Sequence, residues 1–399
     1  MKLATRTTRI VPSPTLNITA TAKAMAAQGL DMIEFAAGEP SCDTPDFVKE
    51  AAHKAIREGF TKYTPVPGTD ELRSAIIDKF HRDQGVRYEK SQILVSCGAK
   101  HTLYNLAQAL FEEGDEVIIP SPYWVSYPDQ VRLADATPVF LETHESEGYA
   151  IDPKALESRI TPRTKALILN SPCNPSGAVL TRKTLEAVAE VVLRHDILVI
   201  SDEIYEQLVY GETPFLSIVS VVPELAGNAV LVNGVSKSFS MTGWRIGYAG
   251  GPKELIAAMT NIQSQSTSNP TSIAQKAATA ALRGDGSFFE DLRGDLQPKR
   301  TLMVDRLNAI PGITCPLPAG AFYAFANVSG LFGRHTTQGP ITTAADLATY
   351  LLHEAHIACI PGEPFGSSSH LRLSYTPTLD TIARGMDRFE AAINSLSQK

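Results

Sequence analysis

Between residues 92 and 250 the chain repeats one pattern, a short apolar run followed by a stretch long enough for an amphipathic helix. The runs are Ile93-Leu94-Val95, Val117-Ile118-Ile119, Val139-Phe140-Leu141, Ala166-Leu167-Ile168-Leu169, Ile197-Leu198-Val199-Ile200, Val230-Leu231-Val232 and Ile246-Gly247-Tyr248-Ala249. These runs are continuous rather than alternating apolar and polar, so each reads as a strand buried on both faces. Strands of that kind, separated by helices, predict an α/β fold: a seven-stranded, mostly parallel sheet with helices on both faces. Ligands of such sheets sit outside the carboxyl ends of the strands. The residues just after each run are therefore the ones to read for chemistry.

After Asn269 the pattern changes. A long, charge-mixed stretch spans 287–308, and two strand-like pieces, 321–325 and 370–374, flank a helix near 343–356. A last helix is expected near 378–396. This predicts a smaller α+β domain over 285–399, beside a large domain over 41–284. Residues 1–40, with Pro12, Pro14 and Pro40, read as an arm, a short helix near 17–28 and a strand, expected to join the small domain.

Composition removes several functions. Acidic residues outnumber basic ones by 43 to 36, which argues against a nucleic-acid surface while allowing a local basic pocket. The five cysteines, Cys42, Cys97, Cys173, Cys315 and Cys359, include no C-x-x-C pair, which argues against a disulfide framework or zinc knuckle and fits a reducing cytoplasm. No stretch approaches the ~18 apolar residues of a membrane span. The segment Met1–Arg6 lacks the apolar run of a signal peptide, so a cytoplasmic location is expected. His353 and His356 lack the H-E-x-x-H pattern and read as a helix end, so no metal is expected. No P-loop or G-x-G-x-x-G turn is present.

Four strand ends carry candidate chemistry. Val232–Gly247 is Gly/Ser-rich and holds Ser236, Lys237 and Arg245. A lysine there can form a Schiff base with an aldehyde, and a nearby arginine can hold a phosphate; a surface loop with two solvated cations is the plain alternative. At the end of 197–200, Asp202 could pair with a protonated pyridine nitrogen or simply cap a helix, and Tyr205 could share its pocket. In Asn170–Gly177, Pro172 and Pro175 stiffen the turn, are compatible with cis bonds, and can fix Asn174 as a donor. In Gly98-Ala99-Lys100 a glycine precedes a helix start whose free N–H groups suit a phosphate.

In this order the pieces resemble the fold-type I, pyridoxal 5′-phosphate-dependent aminotransferases of class I. The resemblance covers nearly the whole chain. It includes Ala37-Gly38-Glu39-Pro40, Tyr63-Thr64-Pro65-Val66-Pro67-Gly68, Ser121-Pro122-Tyr123-Trp124 and Arg372-Leu373-Ser374-Tyr375. The stretch 120–128 is most similar to the bacterial subgroup Ib aspartate aminotransferases.

The resemblance implies specific roles. Lys237 would carry the cofactor as a Schiff base and move the substrate proton. Asp202 would keep the ring nitrogen protonated, Tyr205 and Asn174 would bond the phenolic oxygen, and Trp124 would stack on the ring. Ala99, Lys100, Ser236 and Arg245 would hold the phosphate. Tyr63 would reach the phosphate of a neighbouring subunit, which implies a homodimer with shared sites. Arg372, with Asn174 and the backbone of Gly38, would take the substrate α-carboxylate. Better-known relatives bind the second carboxylate with an arginine just before 270, but 264–270 contains none. In subgroup Ib the matching residue is Lys100. The expected substrates are aspartate and glutamate with their 2-oxo acids.

Two departures stand out. Gly234 replaces a hydroxyl that many relatives carry three residues before the Schiff-base lysine, which removes one phosphate hydrogen bond. Thr15 and Lys100 match positions tied to prephenate amination, whereas Val11 replaces a lysine found in relatives with that activity. A lyase, decarboxylase or synthase using the same cofactor would share Lys237, Asp202 and Tyr205. A cofactor-binding transcription regulator would need a DNA-binding domain, and only about 40 residues precede the Gly38-Glu39-Pro40 motif.

Overall fold

A computed structural model describes residues 1–10, 14–337 and 339–397; Val11 and Pro12 of the arm lie outside the described residues. The strands are β1 (Ile33–Glu34), β2 (Ile93–Ser96), β3 (Glu116–Ser121), β4 (Thr137–Glu142), β5 (Thr164–Asn170), β6 (Leu198–Asp202), β7 (Ala229–Gly234), β8 (Gly247–Gly250), β9 (Tyr323–Asn327), β10 (His335–Thr336), β11 (Gly339–Pro340), β12 (Ile357–Ala358), β13 (Ile360–Pro361) and β14 (His370–Ser374).

Seven of them form one sheet in the order β2-β8-β7-β6-β5-β3-β4. Its pairs are parallel except those of β8, which runs antiparallel to β2 and β7. The seven apolar runs thus become the seven strands. Alternate residues feed opposite faces: Leu167, Val199 and Leu231 enter one apolar cluster, while Ile168, Ile200 and Val232 enter another. Burial on both faces is why the runs are unbroken by polar residues.

A three-stranded antiparallel sheet, β13-β14-β9, forms from the C-terminal third. Helices Ser287–Asn308, Ala344–Glu354 and Leu379–Asn394 accompany it. The N-terminal helix Pro14–Ala27 leads to β1, which pairs in parallel with β12. The N–H of Phe35 donates to Ala358 O, and that of Ser374 donates to Phe35 O. Ile33 and Phe35 share the apolar cluster that holds Phe322, Leu371, Leu373 and Phe389. The two-residue strands β12 and β13 and the β10–β11 hairpin were not legible, being too short for a period. No helix among the described residues is long and apolar enough to cross a membrane.

The strand ends that matter meet at one edge. Gly247 pairs with both Ser96 of β2 and Gly234 of β7, so the Gly98–Lys100 turn and the Ser236–Lys237 loop become neighbours. The approach is close: a Cβ on Gly247 would lie 2.1 Å from Ala99 N. Substituting Gly247→Ala must push the helix start away from β8. A loss of about 1–3 kcal/mol is expected from this overpacking, read as a lower urea midpoint with an unchanged slope.

Candidate active site

The strand ends and the β9–β14 sheet enclose a cavity of about 360 Å³. Its lining includes Thr15, Gly38, Ala99, Lys100, Trp124, Asn174, Asp202, Tyr205, Ser236, Lys237, Arg245 and Arg372. Of the residues singled out from sequence, only Tyr63 stands apart. It is 92% exposed on a loop outside the cavity.

Lys237 follows β7 and is half-buried, with its ammonium donating to Gly38 O. Burial pulls its pKa down to about 8, aided by the nearby charges of Arg372, Arg245 and Lys100 and opposed by Glu39. Asp202 ends β6 and is buried, and burial pushes its carboxyl up to about 6. Two donors resist that shift: Tyr127 Oη, 2.7 Å from Oδ2, and the N–H of Ile204, 3.3 Å from Oδ1.

The Asn170–Gly177 turn is tied to the same centre. Asn170 Nδ2 donates to Asp202 O, and Asn170 Oδ1 accepts from the N–H of Asn174. The Ser171-Pro172 and Asn174-Pro175 bonds are both cis. Asn174 Oδ1 accepts from Arg372 Nη1 at 3.0 Å, which leaves its amide nitrogen to donate.

Arg372 is buried on β14 between Leu371 and Leu373, whose side chains belong to the core. Its Nη2 donates to Ala36 O at 3.0 Å, and its guanidinium lies 4.4 Å from the Tyr323 ring centre and 5.0 Å from that of Phe365. Nε is buried without a partner, and among the described residues no carboxylate pairs with this cation. Burial lowers its pKa. A buried, planar, uncompensated cation suits a carboxylate from outside the chain.

On the opposite wall, helix Ala99–Leu110 starts after Gly98, whose φ is 89°. The first helical bonds come from the N–H groups of His101 and Thr102 to Gly98 O, and Gly98 N–H donates to Ser96 O, which leaves the N–H groups of Ala99 and Lys100 for a ligand. Arg245 is held in the left-handed region at φ 56°, a conformation that costs about 1–3 kcal/mol. Its guanidinium donates to Thr242 O and Cys97 O and lies across Gly98, where a Cβ would come within 2.5 Å of Nη2. Only glycine lets this cation lie against the helix start. Ser236 is buried nearby. Lys100, largely solvent-facing, has its ammonium 5.0 Å from the Trp124 ring centre. Its pKa is lowered by partial desolvation and by Arg245. At Gly234 a Cβ would lie 3.0 Å from Ile246 O, so this chain is built tightly around the missing hydroxyl.

Sequence reading missed five polar residues that line the cavity: Thr19, Thr242 and three that bond within the site. Tyr127 bonds Asp202 and packs edge-on against Trp124; it stands three residues after Trp124, one helical turn along. Tyr323 bonds Tyr205 hydroxyl to hydroxyl at 3.1 Å and lies beneath Arg372. Asn170, the last residue of β5, carried a strand-end signal.

Because Asp202 is raised above 3.8, its contribution to stability is present at low pH and lost as pH rises through about 6. Tyr127→Phe removes the donor that restrains this shift. The Asp202 carboxyl should then titrate above 6 in a ¹³C NMR titration, with a stability loss of about 1–3 kcal/mol at neutral pH. An unchanged titration would show that Tyr127 does not govern Asp202.

Residues 30–389 match the family described as aminotransferase class I and II. The chain is 49% identical over 388 residues to an aspartate aminotransferase of Geobacillus stearothermophilus, covering 97% of this chain and 98% of the relative. It is 45% identical over 397 residues to an aspartate/prephenate aminotransferase of Nitrosomonas europaea, covering 99% and 100%. Among solved structures, an aspartate aminotransferase of Rhizobium meliloti superposes with a TM-score of 0.96 at 44% identity over the whole of both chains. One of Thermus thermophilus with maleate gives 0.92 at 42% identity, covering 98% of this chain and 100% of that one. A match spanning most of the chain, on a fold whose strand ends carry the expected residues, identifies this protein as a member of the aminotransferase class I and II family.

Proposed function

We propose that the protein transfers the amino group between L-aspartate or L-glutamate and 2-oxoglutarate or oxaloacetate, using pyridoxal 5′-phosphate bound at Lys237. The observation that carries this reading is the cavity's charge pattern. A lysine of lowered pKa and a buried, uncompensated Arg372 face a buried Asp202, with a helix start and Arg245 to one side. That donor set suits a phosphorylated pyridine aldehyde and a carboxylate together. When bound, the cofactor supplies an aldehyde for the amino group and a ring that accepts electrons from the substrate Cα.

The chain's residues have separable tasks. Lys237, with a pKa near 8, is neutral in a useful fraction at neutral pH, so its amine can attack a carbonyl or take a proton. Asp202, ionised above about pH 6 and held by Tyr127, can keep a ring nitrogen protonated. Tyr205 and Asn174 would donate to the phenolic oxygen, and Trp124 would cover the ring face. Arg245, Ser236 and the N–H groups of Ala99 and Lys100 would take the phosphate. Arg372 would grip the α-carboxylate, oriented by Asn174 and Ala36 O, with the Gly38 backbone beside it. Lys100 would meet the second carboxylate. Support for an acidic substrate comes from the relatives named aspartate aminotransferase and from the solved relative with maleate, a dicarboxylate.

The exposed Tyr63 would complete the site of a second copy, making the working unit a homodimer with shared sites. Residues 41–284 would act as the large lobe, and 285–399 with 1–40 as the small one. Prephenate amination is a second candidate activity, favoured by Thr15 and Lys100 on the cavity wall and by relatives named aspartate/prephenate aminotransferase. Val11 bears on it but lies outside the described residues.

Three outcomes are expected. In a coupled assay with L-aspartate and 2-oxoglutarate, oxaloacetate and glutamate form in equal amounts; 2-oxo acid released together with free ammonia, and no glutamate, would indicate lyase chemistry instead. Arg372→Lys, which loses the planar fork, raises KM for every amino donor, whereas Lys100→Ala raises it for aspartate and spares monocarboxylic donors. The rate at which apoprotein takes up the cofactor, followed by absorbance, rises with pH up to about 8 and then levels, because only the neutral Lys237 amine attacks. Arogenate from prephenate and aspartate would establish the second activity, and its absence would remove it.

A further inference from the structure

Asp202, Ile204 and Tyr205 line the cavity, but Glu203 and Glu206 turn the other way. Glu203 and Glu206 do not line the cavity and are 1% and 7% exposed. They meet the end of helix Asp70–Gln84, where Lys79 and Gln84 are also buried. Glu203 Oε1 accepts from Ser217 Oγ at 2.5 Å and Ser201 Oγ at 3.0 Å, and Oε2 accepts from Gln84 Nε2 at 3.3 Å. Gln84 Nε2 also donates to Glu206, and its Oε1 accepts from Lys79 Nζ at 3.2 Å. Lys79 pairs with Glu206, and with Asp83 at 3.6 Å.

The rest of this turn is held on its other side by the C-terminal layer. Tyr210 N–H donates to Ala319 O and Ala321 N–H to Leu208 O, and Ile204 and Tyr205 belong to that layer's core. The segment bearing Asp202 and Tyr205 is thus clamped between two layers, and its large-layer anchor is polar.

We infer that Glu203 is a positioning residue for the reaction: through Ser201, Ser217, Gln84, Glu206 and Lys79 it fixes, from behind, the turn that presents Asp202 and Tyr205 to the cavity. The inference rests on the reaction proposed above. All three groups that reach the Glu203 carboxylate donate to it, so its ionised form satisfies them all, and protonation makes one of these hydrogen bonds reverse or break. The charged and titratable groups around it are Lys79, Arg82 and Asp83 of the helix, Glu206 of its own turn, Tyr88 before β2 and Tyr248 of β8. Burial, then the Glu206 charge, push its carboxyl up to about 7, so the anchor changes state near neutral pH. Below that point the network behind the turn must rearrange and kcat should fall, while the Arg372 grip, and with it KM, stays.

The test compares the wild-type holoenzyme with Glu203→Gln and, in case that variant folds poorly, Ser217→Ala. The first readout is Tm across about pH 5–8, which needs no catalysis. A carboxyl raised from 4.5 to about 7 adds stability at low pH that is lost as pH rises through 7. Glu203→Gln should lack that part of the decline, while the Asp202 part remains in both proteins. The second readout is kcat and KM for the amino donor over the same range. Glu203→Gln should lower kcat several-fold at pH 8 with KM unchanged, and lose the acid limb near 7. Ser217→Ala should keep the limb and move it to higher pH, because one bond to the ionised form is gone. Identical Tm slopes, or an altered slope with an unaltered kcat profile, would overturn the inference. A wild-type holoenzyme that transfers no amino group from any donor would instead overturn the proposed reaction, with the Tm comparison still deciding whether Glu203 titrates there.

Discussion

Four cations crowd one cavity. Lys237 feels the positive charges of Arg372, Arg245 and Lys100, and the carboxylates within reach are Asp202, buried across from it, and Glu39. Bringing like charges together in a partly desolvated space is costly, and the chain does not offset it with internal ion pairs at Arg372. In the proposed reaction, the cofactor phosphate and the substrate carboxylates would be the anions that offset it. Burial, aided by the same crowding, lowers the Lys237 pKa to about 8, so a useful fraction of its amine is neutral and can act as a nucleophile and base.

The fold exists to hold that arrangement still. Parallel strands deliver Asn170, Asp202 and Ser236–Lys237 to one edge, and the antiparallel insertion of β8 brings the Gly98 turn beside them. Arg372 comes from the other layer, where strand alternation aims it out of the core that Leu371 and Leu373 enter. Its guanidinium lies on Tyr323, and Tyr323 bonds Tyr205 from the end of β6. Arg372 and the turn that bears Asp202 and Tyr205 are therefore joined through the Tyr323 ring and two hydroxyls, across the boundary between the layers.

Much of this was legible because it follows local rules. Unbroken apolar runs announced buried parallel strands, and Ser236-Lys237 and Asp202-x-x-Tyr205 stood where such sheets bind ligands. The family resemblance then tied Arg372 to the same site, which its own alternating strand does not do. What stayed hidden depends on pairs distant in sequence. Tyr127 reads as an ordinary core tyrosine until it meets Asp202, 75 positions away. Lys79, Gln84, Glu203 and Ser217 each look like surface polar residues, and only the meeting of the end of helix 70–84 with the turn after β6 buries them together. Tyr63 marks the opposite limit: it is exposed in a single chain, so a role in a partner's site lies beyond what one subunit displays.

The central claim is that Lys237, and no other lysine, carries the cofactor in this cavity. Borohydride reduction of the holoprotein, followed by proteolysis and peptide mass spectrometry, tests it directly. The account predicts a pyridoxyl-phosphate mass on the peptide containing Lys237, at close to one per chain, and its disappearance in Lys237→Ala. Label on Lys100 or another lysine instead, or none after reconstitution, would contradict it.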